Sequence, residues 1–156
     1  MDPGGIQFPL SGLPSYLWRK RDQEKPVTEK DYDDIPGTFV FDADRSREGY
    51  WLNQFCISLR LADNRAEMKA DPEAYMARFA MTEDQKQAIR DRDWNRLLEL
   101  GGNIYYTSKL AAFDGIAFQD LAAKMTHMSR EEYRKMMVGG GRGIEGNRSK
   151  SEWENG

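Results

Sequence analysis

The chain has 156 residues, of which 39% are hydrophobic and 31% charged, and its formal net charge is -3. This length supports one domain with its own core, and the weakly acidic balance gives no reason to expect a nucleic-acid or membrane partner. The single cysteine, Cys56, cannot form an intrachain disulfide. No signal peptide and no apolar run of about 20 residues is recognisable. We therefore expect a cytoplasmic protein.

Residues 1–30 are predicted to be an N-terminal arm. Four prolines interrupt any long helix there, yet the arm also carries several large apolar side chains, which a disordered tail would lack. Two interpretations stay open, because the arm could pack on its own domain or lie across another subunit. A helical domain is predicted at 31–148 and a polar tail at 149–156.

Apolar spacing predicts the first helix of the domain. Asp42 or Asp44 can cap this helix, which is expected to run to about Ala62. One side of it carries apolar residues at positions i, i+3, i+4 and i+7, namely Leu52, Phe55, Cys56 and Leu59. Cys56 is therefore predicted to be a buried, inert hydrophobic residue.

The later helices are predicted mainly from their ends. Asp71-Pro72 places a capping residue before a proline at the first helical position. Capping boxes pair a hydroxyl residue with a Glu or Gln three residues later, and glycines end helices or form turns. These signals predict an all-α fold, a single compact domain of about six to eight short helices. The capping boxes are Thr82 with Gln85 and Ser129 with Glu132, and the glycine signals are Gly101, Asp114-Gly115 and 139–141.

The supply of metal ligands is poor. His127 is the only histidine and Cys56 the only cysteine. A non-haem iron site of the usual kind needs two histidines and a carboxylate, and catalytic zinc sites need several His or Cys ligands. We therefore expect neither a metal site nor a catalytic residue in this chain alone.

Other catalytic motifs are also weak. No Gly-x-Ser-x-Gly turn surrounds a serine that could work with His127. The run 141–146 matches Gly-x-Gly-x-x-Gly only formally, because it follows a predicted helix rather than a strand. His127 is then either a partly exposed residue near a helix start or a polar side chain lent to a pocket that a partner completes. The many aromatic and methionine residues likewise fit either a core or a contact surface.

Five runs of the sequence stand out when they are taken together. They are GYWLNQFC (49–56), EMKADPEAY (67–75), LGGNIYYTSK (100–109), Asp114-Gly115 with Phe118-Gln119, and MTHMSREEYRKMMVGGGR (125–142). In this order and spacing, over about 35–148, they resemble the small α subunit of protocatechuate 4,5-dioxygenase. This is the LigA-like subunit of the class II extradiol ring-cleaving dioxygenases.

The resemblance implies a helical subunit that pairs with a larger catalytic β subunit in an α2β2 assembly. The β subunit would hold Fe(II) through two histidines and a glutamate and supply the acid/base histidine, while the α subunit covers the mouth of the active site. The substrates would be dioxygen and a catechol-type aromatic acid, with protocatechuate first and gallate or another catechol derivative as alternatives. The alternative function is a stand-alone helical interaction module with the same fold.

The resemblance also implies the residues that line the substrate pocket. Phe118, which follows the Asp-Gly turn, is expected to form an apolar wall that excludes water. The next corner departs from the family's Ser-Met-Thr-Gly-Met type of run, because Lys124 and His127 replace two small residues. If they face the pocket, Lys124 could pair with a substrate carboxylate and His127 could hydrogen-bond a ring substituent. The predicted lining set is Phe118, Lys124, Met125, Thr126 and His127.

Overall fold

The computed structural model describes residues 38–141 together with Lys30, Tyr32 and Ile35. The predicted tail at 149–156 and all of the predicted arm except Lys30 lie outside the described residues, so those assignments stay predictions. The chain divides into two units, Met1–Lys30 and Asp31–Gly156. Every described helix belongs to the second unit.

The described residues form nine α-helices and no β-strand, which confirms the predicted all-α class. No helix in this part of the chain has both the length and the apolar character that crossing a lipid bilayer requires. The helices are α1 (Ala43–Glu48), α2 (Tyr50–Ser58), α3 (Ala62–Ala70), α4 (Pro72–Met76), α5 (Glu83–Asp91), α6 (Trp94–Glu99), α7 (Ile104–Phe113), α8 (Phe118–Met125) and α9 (Arg130–Val138).

The first predicted helix is divided in the structure. Asp42 caps α1 as expected, since its carboxylate accepts a hydrogen bond from the Arg45 N–H over 2.9 Å. The helix then stops at Gly49, where the backbone lies so close to Gly101 that a Cβ on Gly49 would overlap the Gly101 carbonyl group. This contact joins residues far apart in sequence, so local spacing could not reveal the break. It is one reason why the described residues contain nine helices rather than six to eight.

Helix α3 is the other addition to the predicted set. It contains mostly polar and charged residues, and Met68 is its only buried side chain. The helix therefore lacks the repeated apolar positions on which the prediction of helices depended.

Most predicted helix ends are confirmed. Asp71 caps α4 by accepting a hydrogen bond from the Ala74 N–H over 3.0 Å, with Pro72 in the first turn. Both predicted capping boxes are present, at the starts of α5 and α9. Gly101 follows the end of α6 with a φ of 89°. Short-range rules therefore predict helix ends well, because capping groups satisfy free backbone groups within one turn.

The core lies between α2 and the helices around it. Phe55 contacts Phe79 edge to face, with ring centroids 5.5 Å apart, and Tyr75 with centroids 6.0 Å apart. Cys56 is fully buried, and this burial raises the pKa of its thiol to about 12, so the group is protonated and inert as predicted. The fully buried larger residues of the cluster include Leu52, Leu59, Met76, Ile89, Leu97, Leu110 and Leu121.

A buried amide ties the break between α1 and α2 to the end of α6. The Gln85 side chain donates to the carbonyl oxygens of Glu48 over 3.2 Å and Leu100 over 3.0 Å. Both acceptors are carbonyl groups at helix ends, which lack partners within their own helices. Gln85 thereby fixes the end of α6, the helix that also contacts the corner described next.

Candidate functional site

Helix α8 carries the first of the predicted pocket residues. Phe118 opens the helix two residues after Ile116, and its side chain is 58% exposed. Leu121 and Ala123 are buried and hold the helix on the core. Met125 lies on the same side as Phe118, seven residues on, and packs against the core cluster. The helix is thus anchored by its middle and its end, while its first residue points its ring outward.

The chain turns sharply after α8. The Met128 N–H donates to the Ala123 carbonyl over 2.9 Å, and the His127 N–H donates to the Lys124 carbonyl over 3.1 Å. These two bonds form a Schellman motif. His127 has a φ of 56°, the left-handed conformation that glycine usually supplies in this motif. The Thr126 hydroxyl donates back to the Ala123 carbonyl over 3.0 Å, which further fixes the turn.

Two side chains outside the turn hold it in place. The Asn95 amide, on α6, donates to the Met125 carbonyl over 3.1 Å. The Arg130 guanidinium, at the start of α9, pairs with the Asp120 carboxylate over 3.2 Å. The end of α8 is therefore connected to α6 through Asn95, and the first turn of α8 is connected to α9 through the Asp120–Arg130 pair. We call residues 124–128 the α8 corner.

The predicted pocket residues share one helix and its corner but not one face. Phe118 and Lys124 lie about 120° apart around the helix axis and about 9 Å apart along it. Phe118, Lys124 and His127 are exposed, whereas Met125 and Thr126 are half-buried. Lys124 forms no ion pair with any other residue that the structure describes. Chemically, this region can present an aromatic ring, an ammonium group and an imidazole to a ligand or partner.

The described residues do not fit an iron site. They contain no group of three or more His, Cys, Asp or Glu side chains that could hold a metal ion. Cys56 is buried in the core while His127 is exposed at the α8 corner. The usual donor set for ferrous iron needs two histidines, and the sequence has one. No step of a reaction is therefore assigned to a metal held by this chain.

The α8 corner does not border the groove between α3, α4 and α5. That groove has a volume of about 420 Å³, and its walls combine apolar and charged side chains. None of the predicted pocket residues lines it. Its lining residues are Met68, Lys69, Pro72, Glu73, Met76, Ile89, Arg90, Arg92 and Phe113.

Two features of the described residues had no signal in the sequence. Asn95 is a polar residue within a short helix, and nothing in its local pattern indicates that its amide reaches the α8 corner. The second feature is a group of exposed aromatic residues at the starts of α2 and α7, where the sequence left core and contact surface equally open. Their exposed fractions are 52% for Tyr50, 44% for Trp51, 75% for Tyr105 and 38% for Tyr106.

Comparisons with known proteins place these helices in a protein family. The family model for the LigA subunit of the aromatic-ring-opening dioxygenase LigAB matches residues 52–138, which include all of α3 to α9. The chain is also 28% identical over 138 residues to a gallate dioxygenase of Pseudomonas putida. That alignment covers 81% of this chain and 41% of the relative, so the chain spans about two fifths of the length of this relative.

Proposed function

The chain belongs to the LigA family of aromatic-ring-opening dioxygenase subunits, and from this we propose that it is the non-catalytic α subunit of an extradiol dioxygenase. In this proposal a catalytic β subunit holds the Fe(II) and carries the acid/base chemistry. This chain covers and shapes the active site in which dioxygen opens the ring of a catechol-type aromatic acid.

The observation that carries the proposal is the match of the family model to α8 and its corner together with their exposure. The match at 52–138 contains every predicted pocket residue. Phe118 has an aromatic side chain that is 58% exposed, although the same helix buries Leu121 almost completely. Aromatic side chains are enriched in surfaces that meet a partner, and the exposed Phe118 ring is available for such a contact.

The proposed contribution of this chain is to enclose the site. Phe118 provides an apolar wall that keeps water from the ring, and exclusion of water strengthens the electrostatic interactions inside. Lys124 offers its ammonium group to the ring carboxylate, and it has no competing ion pair among the described residues. Met125 and Thr126 hold the end of the wall, and His127 offers a polar group beside it.

The relative aligns with this chain over only part of its own length. The P. putida protein is named a gallate dioxygenase, and the part that aligns with this chain is 41% of it. We propose, from the family membership, that this chain joins the catalytic β subunit in an assembly of two α and two β subunits. The substrate is a catechol-type acid such as protocatechuate or gallate.

Co-expression with a candidate β subunit tests the proposal. Iron content and oxygen uptake with protocatechuate and with gallate would be measured for each subunit alone and for the purified complex. We expect the α chain alone to bind no iron and to show no turnover, and we expect it to raise kcat/KM when it joins the β subunit. Tightly bound iron with ring opening by the lone chain would overturn the proposal. An active β subunit whose ring-cleaving rate the α chain leaves unchanged would favour the interaction module instead.

A further inference from the structure

Two residues with side chains adopt the left-handed backbone conformation in the part of the chain that the structure describes. They are Arg92, with a φ of 55°, and His127, with a φ of 56°. This conformation is unfavourable for residues that have a Cβ, and glycine is the usual residue where a helix ends in this way. Each side chain is therefore expected to make contacts that offset the cost of its backbone conformation.

Arg92 makes such contacts within its own chain. Its Nε donates to Asp114 Oδ2 over 2.5 Å and its Nη2 donates to Asp114 Oδ1 over 3.0 Å. Its Nη1 also donates to the Ile89 carbonyl at the end of α5. A two-point pair between a guanidinium and a carboxylate is among the stronger polar contacts in proteins. The contacts of the Arg92 side chain thus offset its unfavourable backbone.

His127 has no such contacts. Its side chain is exposed, and the imidazole makes no hydrogen bond or ion pair with another described residue. The bonds that form the turn come from backbone groups, including the His127 N–H. Glycine would make the same backbone bonds, and the left-handed conformation would have little steric cost because glycine has no Cβ. No contact among the described residues therefore explains why an imidazole stands at this position.

The backbone that carries the imidazole is nonetheless held in a fixed place. It is locked by the two Schellman bonds, and the preceding residues are fixed by the Thr126 hydroxyl and by the Asn95 amide on the Met125 carbonyl. Because the turn is rigid, only the two side-chain torsions of His127 have to be ordered when the imidazole binds a ligand, which favours specific recognition.

We infer that His127 is a specificity-determining residue of the enclosed site, where its imidazole hydrogen-bonds a ring hydroxyl beyond the catechol pair. This inference depends on the proposed function and narrows its substrate class. A neutral imidazole has one nitrogen that donates and one that accepts, and a hydroxyl can do both. Gallate has this third hydroxyl and protocatechuate lacks it, so the two acids form a matched pair of probes.

The test compares His127→Gly and His127→Phe with the wild type in the α–β complex. Glycine removes the imidazole and also removes the steric cost of the left-handed conformation. Phenylalanine keeps an aromatic ring but lacks the hydrogen-bonding nitrogens. Both variants should lower kcat/KM for gallate relative to protocatechuate by roughly 10-fold, as expected for the loss of one hydrogen bond. If the bond forms equally in the ground and transition states, the change appears in KM rather than kcat.

Thermal unfolding of the full α chain supplies a readout that does not depend on turnover. His127→Gly should raise the unfolding midpoint by a few degrees, because glycine adopts the left-handed conformation at a lower steric cost than histidine. Arg92→Gly is the matched control. It lowers the steric cost of the same conformation but removes the contacts with Asp114, so it should not raise the unfolding midpoint. It should also leave the ratio of kcat/KM for gallate to kcat/KM for protocatechuate unchanged.

The outcomes separate this inference from the proposed function. A wild-type complex that opens neither ring contradicts the proposed function and the inference with it. An active complex whose ratio is unchanged in His127→Gly overturns the inference alone, and so does a wild-type complex that cleaves protocatechuate but not gallate. A fall in the unfolding midpoint of His127→Gly as large as that of Arg92→Gly would also overturn it, because the two variants share the entropic cost of glycine and the imidazole would then serve the fold as the Arg92 guanidinium does.

Discussion

The side-chain amide of Asn53 donates a hydrogen bond to the carbonyl oxygen of Gly101 over 2.9 Å, and both residues are buried. The same amide accepts a hydrogen bond from the Asn103 N–H over 2.8 Å. One side chain of α2 therefore satisfies two backbone groups of the loop between α6 and α7. A buried polar group left without a partner is costly, so this amide is central to the packing of the domain.

Asn53→Ala tests this role. The substitution leaves the Gly101 carbonyl and the Asn103 N–H without their partner, and we expect a loss of about 2–4 kcal/mol in the free energy of unfolding. Urea unfolding of the full chain measures it. Gln54→Ala, on the exposed side of the same helix, is the control and should change stability by less than about 0.5 kcal/mol. Equal effects of the two variants would show that the amide is not important.

Phe118→Ala tests whether this ring serves the site or the fold. Because the side chain is 58% exposed, we expect less than about 1 kcal/mol of destabilisation in the isolated chain and a lower kcat/KM in the complex. Leu121→Ala, in the same helix, removes a fully buried side chain and should cost about 2–5 kcal/mol. Urea unfolding and ring-cleavage kinetics check both. An unfolded Phe118→Ala chain would instead identify Phe118 as a core residue.

The ion pair between Glu73 and Arg90 predicts an acid-sensitive contact between α4 and α5. Arg90 donates from Nε and Nη2 to the two carboxylate oxygens, each over 2.8 Å. The hydrogen bond from Arg90 lowers the pKa of Glu73 from its ordinary value of 4.5. A lowered pKa in the folded state means that the contribution to stability is present above about pH 4.5 and is lost as the pH falls through the lowered value.

Glu73→Gln measures that contribution. The difference in unfolding midpoint between the wild type and this variant should be largest near neutral pH and should shrink as the pH falls below 4.5 and the wild-type carboxylate becomes protonated. Thermal unfolding at several pH values follows it. Arg90→Gln should remove the same dependence on pH at position 73. A difference that stays constant from pH 7 to pH 3 would contradict the assignment.

The thiol of Cys56 should be protected from reagents in the folded chain. It is fully buried, and burial raises its pKa to about 12, so very little thiolate exists near pH 8. We expect a thiol-specific reagent to modify Cys56 only as fast as the chain opens, and to modify it rapidly in urea. Absorbance of the released chromophore follows the reaction. Rapid modification under native conditions would show that the thiol is accessible.

The sequence predicts the features that depend on neighbouring residues. Asp42, Asp71 and the two capping boxes act within a single turn, and the structure confirms each of them. The break at Gly49 was not predicted, because its partner is Gly101, far along the chain. The position of α3 was not predicted either, since one buried residue creates no apolar pattern.

The same distinction applies to the candidate site. The Asp-Gly turn places Phe118 at the start of a helix, and that placement follows from local rules. The contact between Asn95 and Met125 joins two helices, and the left-handed backbone of His127 depends on how α8 ends. Neither has a marker in the residues beside it, so the arrangement of the α8 corner is known only from the structure.

The close approach of Gly49 and Gly101 limits how this sequence can diverge. A methyl group at either position would meet main-chain atoms, and Gly101 also has a φ of 89°. Exchange of nearby side chains cannot create room there, because no side chain fills the space between them. A substitution at one glycine would therefore require the path of the backbone itself to change. We expect related sequences that keep this backbone path to have glycine at both positions.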